Sequence, residues 1–324
     1  MIVLDADVLG RRRTGEETSM LNLLRLLPQV APDLQFAAVT RQPDLVPPGV
    51  EPIGLSTGSQ ELRMAWTLPR LLRRLRPELA HFQHVIPPGW RGRSVLTLHD
   101  LHFERDASVM GIADRLVFRT FVPPSARRAD AIVVPSERTK VDVVELYDIA
   151  PAKITVALHG VDPVFAPGDE RGAYVLFVGA VQQRKHPLKA LELVQEVGLP
   201  LVVAGPEKDR ALARRLREGG ADVRGYVDQA ELASLYRGAA ALVLPSRYEG
   251  FGIPALEAMA SGTPVVVSDD AALREVVGDA AAPSVRDAIE QRDLYRRKGI
   301  ERAALFTWEA SARRTVEAYR SVLA

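Results

Sequence analysis

Short apolar runs alternate along this chain with stretches whose apolar positions recur at helical spacing. The runs Ile2–Asp5, Gln35–Thr40, Leu79–Phe82, Ser94–Leu98, Ala131–Val134, Ile154–Val156, Tyr174–Val178, Leu199–Val203, Ala241–Leu244 and Pro264–Val267 are rich in Val, Leu and Ile. They show little polar alternation, the pattern of strands buried on both faces of a parallel sheet. Between them, Ser19–Leu27, Leu188–Glu196, Asp209–Glu218 and Glu231–Arg237 read as amphipathic helices. Strands alternating with helices predict right-handed crossovers and a doubly wound α/β architecture. The rhythm breaks at Val161–Gly172, reading VDPVFAPGDERG, and a strand restarts at Tyr174. Pro, Gly and charge clustered in this way mark a domain boundary. The expectation is two Rossmann-like domains, 1–162 and 173–324, joined by a linker at 163–172. A last helix near 308–322 is placed to pack across them.

Composition narrows the function classes. The 324 residues suit two domains, at about 150 residues each. The 42 basic residues balance 41 acidic ones, so binding of nucleic acid by counterion release is not expected. The sequence has no Cys, which excludes thiol nucleophiles and cysteine-based metal sites and suits a reducing compartment. The opening MIVLDADVLGRRR lacks the apolar core of a signal peptide, and no apolar run reaches the roughly 18 residues of a membrane span. A cytoplasmic setting is expected.

In open parallel sheets, ligands sit beyond the carboxyl ends of the strands. After the strand ending at Val178 comes Gly179-Ala180-Val181-Gln182-Gln183-Arg184-Lys185-His186-Pro187. A Gly turn followed by two cations near a helix start suits a diphosphate, though a solvated basic turn reads the same way. The stretch matches neither a Walker A loop nor GxGxxG. After Leu244 comes Arg247-Tyr248-Glu249-Gly250-Phe251-Gly252-Ile253-Pro254-Ala255-Leu256-Glu257. Pro254 fits a first helical turn, and the glycines permit close approach of a ligand to backbone N–H groups. Glu249 and Glu257 supply bidentate acceptors for hydroxyl pairs. A Glu near a helix N-terminus also has an ordinary dipole explanation.

The Glu-x7-Glu stretch resembles the signature of the retaining, nucleotide-sugar-dependent glycosyltransferases of family 4, which have the GT-B fold. Arg184-Lys185 resembles that family's donor-phosphate pair. His159-Gly160-Val161-Asp162 is similar to its Asn-Gly-Val-Asp, and Arg224-Gly225-Tyr226-Val227 to its Gly-Tyr/Phe-Val segment. Phe306-Thr307-Trp308-Glu309 resembles the start of its final helix, and Thr97-Leu98-His99-Asp100-Leu101 the His-Asp-Leu loop of mannosyltransferase-like members. The resemblance implies a donor cleft between the two domains. There Arg184 and Lys185 would neutralise the diphosphate and Glu257 would hold the ribose. Glu249 with the backbone of Phe251, Gly252 and Ile253 would hold sugar and leaving phosphate, and Tyr226 would border the base. His99 would position the sugar, and Gly15 would bring the first loop to the phosphates. Two departures stand out: Ala180 where relatives carry Arg, and Glu17 where they often carry Gly. Thr14-x-x-Glu17 is also an ordinary capping box.

The expected function is retaining, metal-independent transfer of a sugar from a nucleoside-diphosphate donor, GDP-mannose being preferred, to a hydroxyl acceptor. That acceptor is a glycan, a lipid-linked species or a small molecule, which places the enzyme in glycan biosynthesis. No cofactor is expected. A nucleotide-sugar 2-epimerase of the same fold and a non-catalytic nucleotide-binding homologue are the alternatives. The pairs His81/His84 and His99/His102, with Asp100, Glu104 and Asp106 near them, have a spacing that metal ligands use. At strand ends, however, residues three apart need not share a face, and lining or structural roles are expected with no metal. Glu61–Pro77 holds five Arg interleaved with Leu, Trp and Met. It reads either as a peripheral contact with the inner membrane face or as an outer helix with its Arg in water.

Overall fold

The computed structural model describes residues 1–11, 14–105, 111–170 and 172–324. They form two compact units, the first built from Met1–Glu104, Ile112–His159 and Trp308–Ala324, the second mainly from Gly160–Thr307. The first unit has a seven-stranded sheet of β1 (Ile2–Asp5), β2 (Phe36–Thr40), β3 (Glu51–Gly54), β4 (Leu79–Gln83), β5 (Ser94–Thr97), β6 (Ala131–Val134) and β7 (Ile154–Val156). Its order is β3-β2-β1-β4-β5-β6-β7, parallel throughout. The second unit has β8 (Val175–Val178), β9 (Leu201–Ala204), β10 (Asp222–Gly225), β11 (Ala241–Leu244) and β12 (Val265–Val267), ordered β10-β9-β8-β11-β12 and also parallel. In each sheet the strand order reverses at the first strand, β1 or β8. Loops leaving its carboxyl end are where such sheets bind ligands.

The apolar runs form the central strands as expected. Two strands were not expected, β3 and β10, and both are sheet edges with largely exposed or half-buried residues. An edge strand has water along one side, so it needs no continuous apolar run, and it tolerates Pro52. The division between units falls at His159/Gly160, ahead of the stretch marked as a linker. Phe165 in that stretch is 4% exposed, its ring 5.7 Å from Tyr236, so it is anchored in the second unit.

The final helix, Trp308–Leu323, belongs to the first unit. Its Val316, Ala318 and Tyr319 join the core formed by β1, β2, β4 and helix Thr14–Val30. Tyr319 Oη and His81 Nδ1 share a hydrogen bond at 2.6 Å, and His81 Nε2 meets Thr97 Oγ1 at 2.7 Å. His81 is fully buried, and burial, with His99 adding to it, lowers its pKa to about 3. It is therefore a structural histidine that tethers the last helix to β4 and β5.

The arginine-rich stretch 61–77 is not one surface helix. Arg63–Thr67 makes a π turn and Leu68–Leu75 an α-helix with Pro69 in its first turn. Leu68, Pro69 and Leu72 are buried while Arg70, Arg73 and Arg74 reach solvent. Arg63 departs from the expected pattern of Arg in water: it is 1% exposed, bonded to Asp5 Oδ1 and 3.5 Å from Asp7 Oδ2. Arg41 adds a bidentate pair to Asp7 at 2.8 Å each, and Arg11 a further ion pair. A buried carboxylate is tolerated only with such partners, and the carboxyl end of β1 supplies two of them. Among the described residues, no helix is long and apolar enough to cross a membrane.

Candidate active site

The second unit concentrates its chemistry where β8 and β11 end. After β8, Gln183–Lys185 makes one turn of 3-10 helix, and His186 at φ 53 turns the chain into helix Pro187–Gln195. The turn is fixed from β11's side by Arg247 N–H donating to the Arg184 carbonyl at 2.9 Å. Lys185 Nζ reaches both Glu249 oxygens, at 2.5 and 2.7 Å. Arg184 Nη1 donates to the Tyr248 carbonyl at 2.8 Å and lies 3.4 Å from Glu249 Oε2. The Glu249 N–H is held by Asp270 Oδ2 at 3.2 Å, and the other Asp270 oxygen caps helix Ala271–Val277. Burial pushes the Glu249 carboxyl up, but Lys185 and Arg184 outweigh it and hold its pKa below the ordinary range. Arg184 Nε is buried with no acceptor among the described residues.

Helix Ile253–Ala260 starts at Gly252, whose φ is 110. A Cβ there would lie 2.6 Å from Leu273 Cδ2, so glycine is needed for both conformation and space. The N–H groups of Ala255 and Leu256 return to the Gly252 carbonyl. Those of Gly252 and Ile253 have no partner among the described residues. Open N–H groups at a helix start favour an anion.

Glu257 is the second carboxyl of the stretch and has the opposite charge state. Tyr236 Oη donates to its Oε2 at 3.0 Å, and the pair is buried. Burial raises its pKa to about 8, the Tyr236 hydrogen bond opposing and the Asp162 charge adding to the rise. At neutral pH Glu249 is ionised and Glu257 largely protonated. Tyr226 stands half exposed just beyond β10, after Gly225 at φ 72.

Two family models match consecutive parts of the chain: Glycosyltransferase Family 4 over residues 13–165 and Glycosyl transferases group 1 over 165–291. The chain belongs to these glycosyltransferases. The O-antigen chain mannosyltransferase B of Escherichia coli is 36% identical over 173 residues, covering 45% of each protein. The D-inositol 3-phosphate glycosyltransferase of Kribbella flavida is 33% identical over 242 residues, 60% of this chain and 57% of that protein. The chain thus spans about half the length of these curated relatives. In three dimensions it is similar to the sucrose-phosphate synthase of Thermosynechococcus elongatus, with a TM-score of 0.77 at 20% identity over 99% of this chain and 98% of that one. The fold is GT-B.

In this family member the structure gathers Arg184, Lys185 and Glu249 into one cluster and sets Phe251, Gly252 and Ile253 at the helix start beside it. Gly15 and His99 belong to the first unit. Gly15 lies in the first turn of helix Thr14–Val30. Glu17 accepts the Gly10 N–H at 2.7 Å, tying down the preceding loop instead of the helix start a capping box would serve. Arg13, the Thr14 side chain and Asp106 lie outside the described residues. His99 Nε2 bonds Gln83 Oε1 at 2.8 Å, so its proton sits on Nε2. Burial holds the His99 pKa near 4, Glu16 and Asp100 opposing and His84 adding, which keeps the ring neutral. Among the described residues no three His, Asp or Glu side chains converge as a metal site. His102 instead pairs with Asp100 at 2.5 Å, and His84 with Glu16 at 3.3 Å.

Sequence reasoning missed Tyr236 and Asp270. Asp270 had a readable signal, an acid directly before a helix. Tyr236 had none, since an aromatic on an amphipathic helix is ordinarily core.

Proposed function

We propose that this chain transfers a glycosyl group from a nucleoside-diphosphate sugar to a hydroxyl acceptor, with retention and without a metal ion. The supporting observation is the buried cluster of Arg184 and Lys185 against Glu249, beside the open N–H groups of Gly252 and Ile253. A ligand diphosphate competes for Lys185 and Arg184 and adds the two N–H donors. When the bond between the sugar's anomeric carbon and the phosphate oxygen breaks, its electron pair stays on that oxygen. Fixed cations and dipoles stabilise this growing charge most, so they take the part a divalent ion plays elsewhere. The acceptor oxygen bonds the anomeric carbon on the departing face and passes its proton to the leaving phosphate. His99, neutral and held by Gln83, positions the sugar. Glu257, held by the buried Tyr236 hydroxyl, receives the ribose hydroxyls, and Tyr226 borders the base.

Mannose from GDP-mannose is the preferred donor, a reading supported by His99-Asp100-Leu101 and by the mannosyltransferase among the relatives. The lack of cysteine supports a cytoplasmic setting. The test is a thermal-shift panel of nucleoside diphosphates and their sugars, run on the wild type and on Lys185→Ala. GDP and GDP-mannose are expected to raise the melting temperature. The variant is expected to lose that rise and about 10²–10³-fold in turnover while keeping its circular dichroism. A panel without any shift, or unaltered turnover in the variant, overturns the proposal.

A further inference from the structure

The first unit carries a second constellation that glycosyl transfer does not use. Helix Leu68–Leu75 ends at Arg76, held in the left-handed region at φ 47, its N–H bonded to the Leu72 carbonyl. Between Glu61 and Glu78 the sequence holds no acid. At this helix end, Leu72, Arg73, Arg76, Trp90, Arg91 and Gly92 line an open depression of about 370 Å³. All three arginines are exposed. Arg73 spends its Nε on the Pro69 carbonyl, while Arg76 and Arg91 make no side-chain hydrogen bond or ion pair among the described residues. Trp90 is 6% exposed, and its Nε1 is buried without an acceptor among the described residues. A Cβ on Gly92 would lie 2.3 Å from Trp90 Cζ2, so glycine lets the loop lie along the indole edge that carries Nε1. Native proteins rarely leave such a donor unsatisfied, and an acceptor arriving from outside removes the penalty.

The depression lies at the amino ends of β4 and β5, which begin at Leu79 and Ser94. His84 and His99 follow the carboxyl ends of the same parallel strands, a strand length of roughly 13–16 Å away. It is therefore separate from the histidine cluster.

We propose that this depression is an anion site for a phosphoryl group, gripped by the guanidinium groups of Arg73, Arg76 and Arg91 and by the Trp90 indole N–H. Guanidinium matches phosphate oxygens in bidentate fashion. The phosphoryl group comes either from an anionic lipid headgroup or from a soluble phosphate. In the lipid case, the neighbouring exposed Leu62 and Trp66, with Arg70 stacked 4.0 Å over the Trp66 ring, would meet the interface.

The sequence has three Trp, so an amide correlation spectrum of the ¹⁵N-labelled full chain shows three indole N–H signals, and Trp90→Phe identifies one. Sodium pyrophosphate supplies the soluble arm. Because the donor site also takes a diphosphate, the readout is the Trp90 signal, not total binding. Sedimentation with phosphatidylglycerol vesicles, against phosphatidylcholine vesicles at the same low salt, supplies the lipid arm. The expected result is a saturable shift of the Trp90 signal that vanishes in an Arg76→Ala/Arg91→Ala variant whose circular dichroism is unchanged. Trp90→Phe is expected to weaken binding roughly tenfold to a hundredfold, about one hydrogen bond to a charged group, read in that variant from the backbone amides of Arg76 and Gly92 in the same spectrum. Co-sedimentation with the anionic vesicles alone, lost in the double variant, assigns a headgroup; a pyrophosphate shift without co-sedimentation assigns a soluble phosphate. A Trp90 signal unmoved by pyrophosphate with no selective sedimentation, or responses unaltered in the double variant, overturns the proposal.

Discussion

Replacing Glu257 by Gln keeps the side chain's shape and an oxygen for the Tyr236 hydroxyl, but removes a titration that the fold has displaced. Glu257 titrates at about 8 in the folded chain against 4.5 for an ordinary glutamate. Between those values the native state holds a proton that the unfolded chain has released. Stability therefore falls as pH rises through this window, and below 4.5 both states are protonated and the penalty disappears. At 1.36 kcal/mol per pKa unit, the penalty at pH 7 is at most roughly 3–4 kcal/mol, and relaxation of the site reduces it. Glu257→Gln is thus expected to be about 1–3 kcal/mol more stable than wild type at pH 7.5 and nearly equal to it at pH 5.0. The assay is urea denaturation of both proteins at both pH values, followed by far-ultraviolet circular dichroism. A variant destabilised by the same amount at the two pH values would refute the reasoning, since that pattern belongs to a glutamate ionised in the native state. The variant is also expected to bind donor nucleotide more weakly, because the amide cannot become the carboxylate acceptor a ribose needs.

Gly252→Ala forces a Cβ into the left-handed region and against Leu273, and is expected to cost about 1–3 kcal/mol together with the nucleotide-induced thermal shift. Tyr319→Phe leaves His81 Nδ1 buried without its partner, an expected loss of about 1–3 kcal/mol readable in the denaturation midpoint. Burial holds His81 and His159 near pKa 3 and His99 near 4, against an ordinary 6.5. The native first unit then refuses protons that the unfolded chain accepts, so its stability should drop as pH falls from 6.5 toward 4; a flat urea midpoint over that range would count against it. Arg63→Met strands Asp5 in the interior, while Asp7 keeps Arg41 and Arg11, at a cost of about 3–5 kcal/mol, and Asp5→Asn on top of it should recover part of the midpoint.

The central strands and the main helices could be read from the residues because burial on two faces leaves a continuous apolar record. Edge strands need leave none: Ile154–Val156 and Val265–Val267 are edges that still carry apolar runs, whereas Glu51–Gly54 and Asp222–Gly225, exposed or half-buried, were silent. The cations and carboxyls of the second unit were readable through their place after strand ends. Their opposite charge states were not: Glu249 and Glu257 are the same residue eight positions apart, and only the neighbours, Lys185 for one and Tyr236 for the other, separate them. Arg63 shows the same limit from the other direction. Nothing in its run of arginines distinguishes the one that dives to Asp5 from those that stay in water.

The chain enters the second unit at Gly160 and leaves it at Thr307 before laying its last helix on the sheet it began with. In effect the second unit is an insertion within the first. During synthesis, His81 waits for Tyr319, 238 residues further along, so the first unit stays unfinished while the second emerges and folds. A fragment beginning near Gly160 and stopping near Thr307 carries its own sheet and core. One ending at His159 lacks the piece that closes its own, and its exposed leucines would invite aggregation.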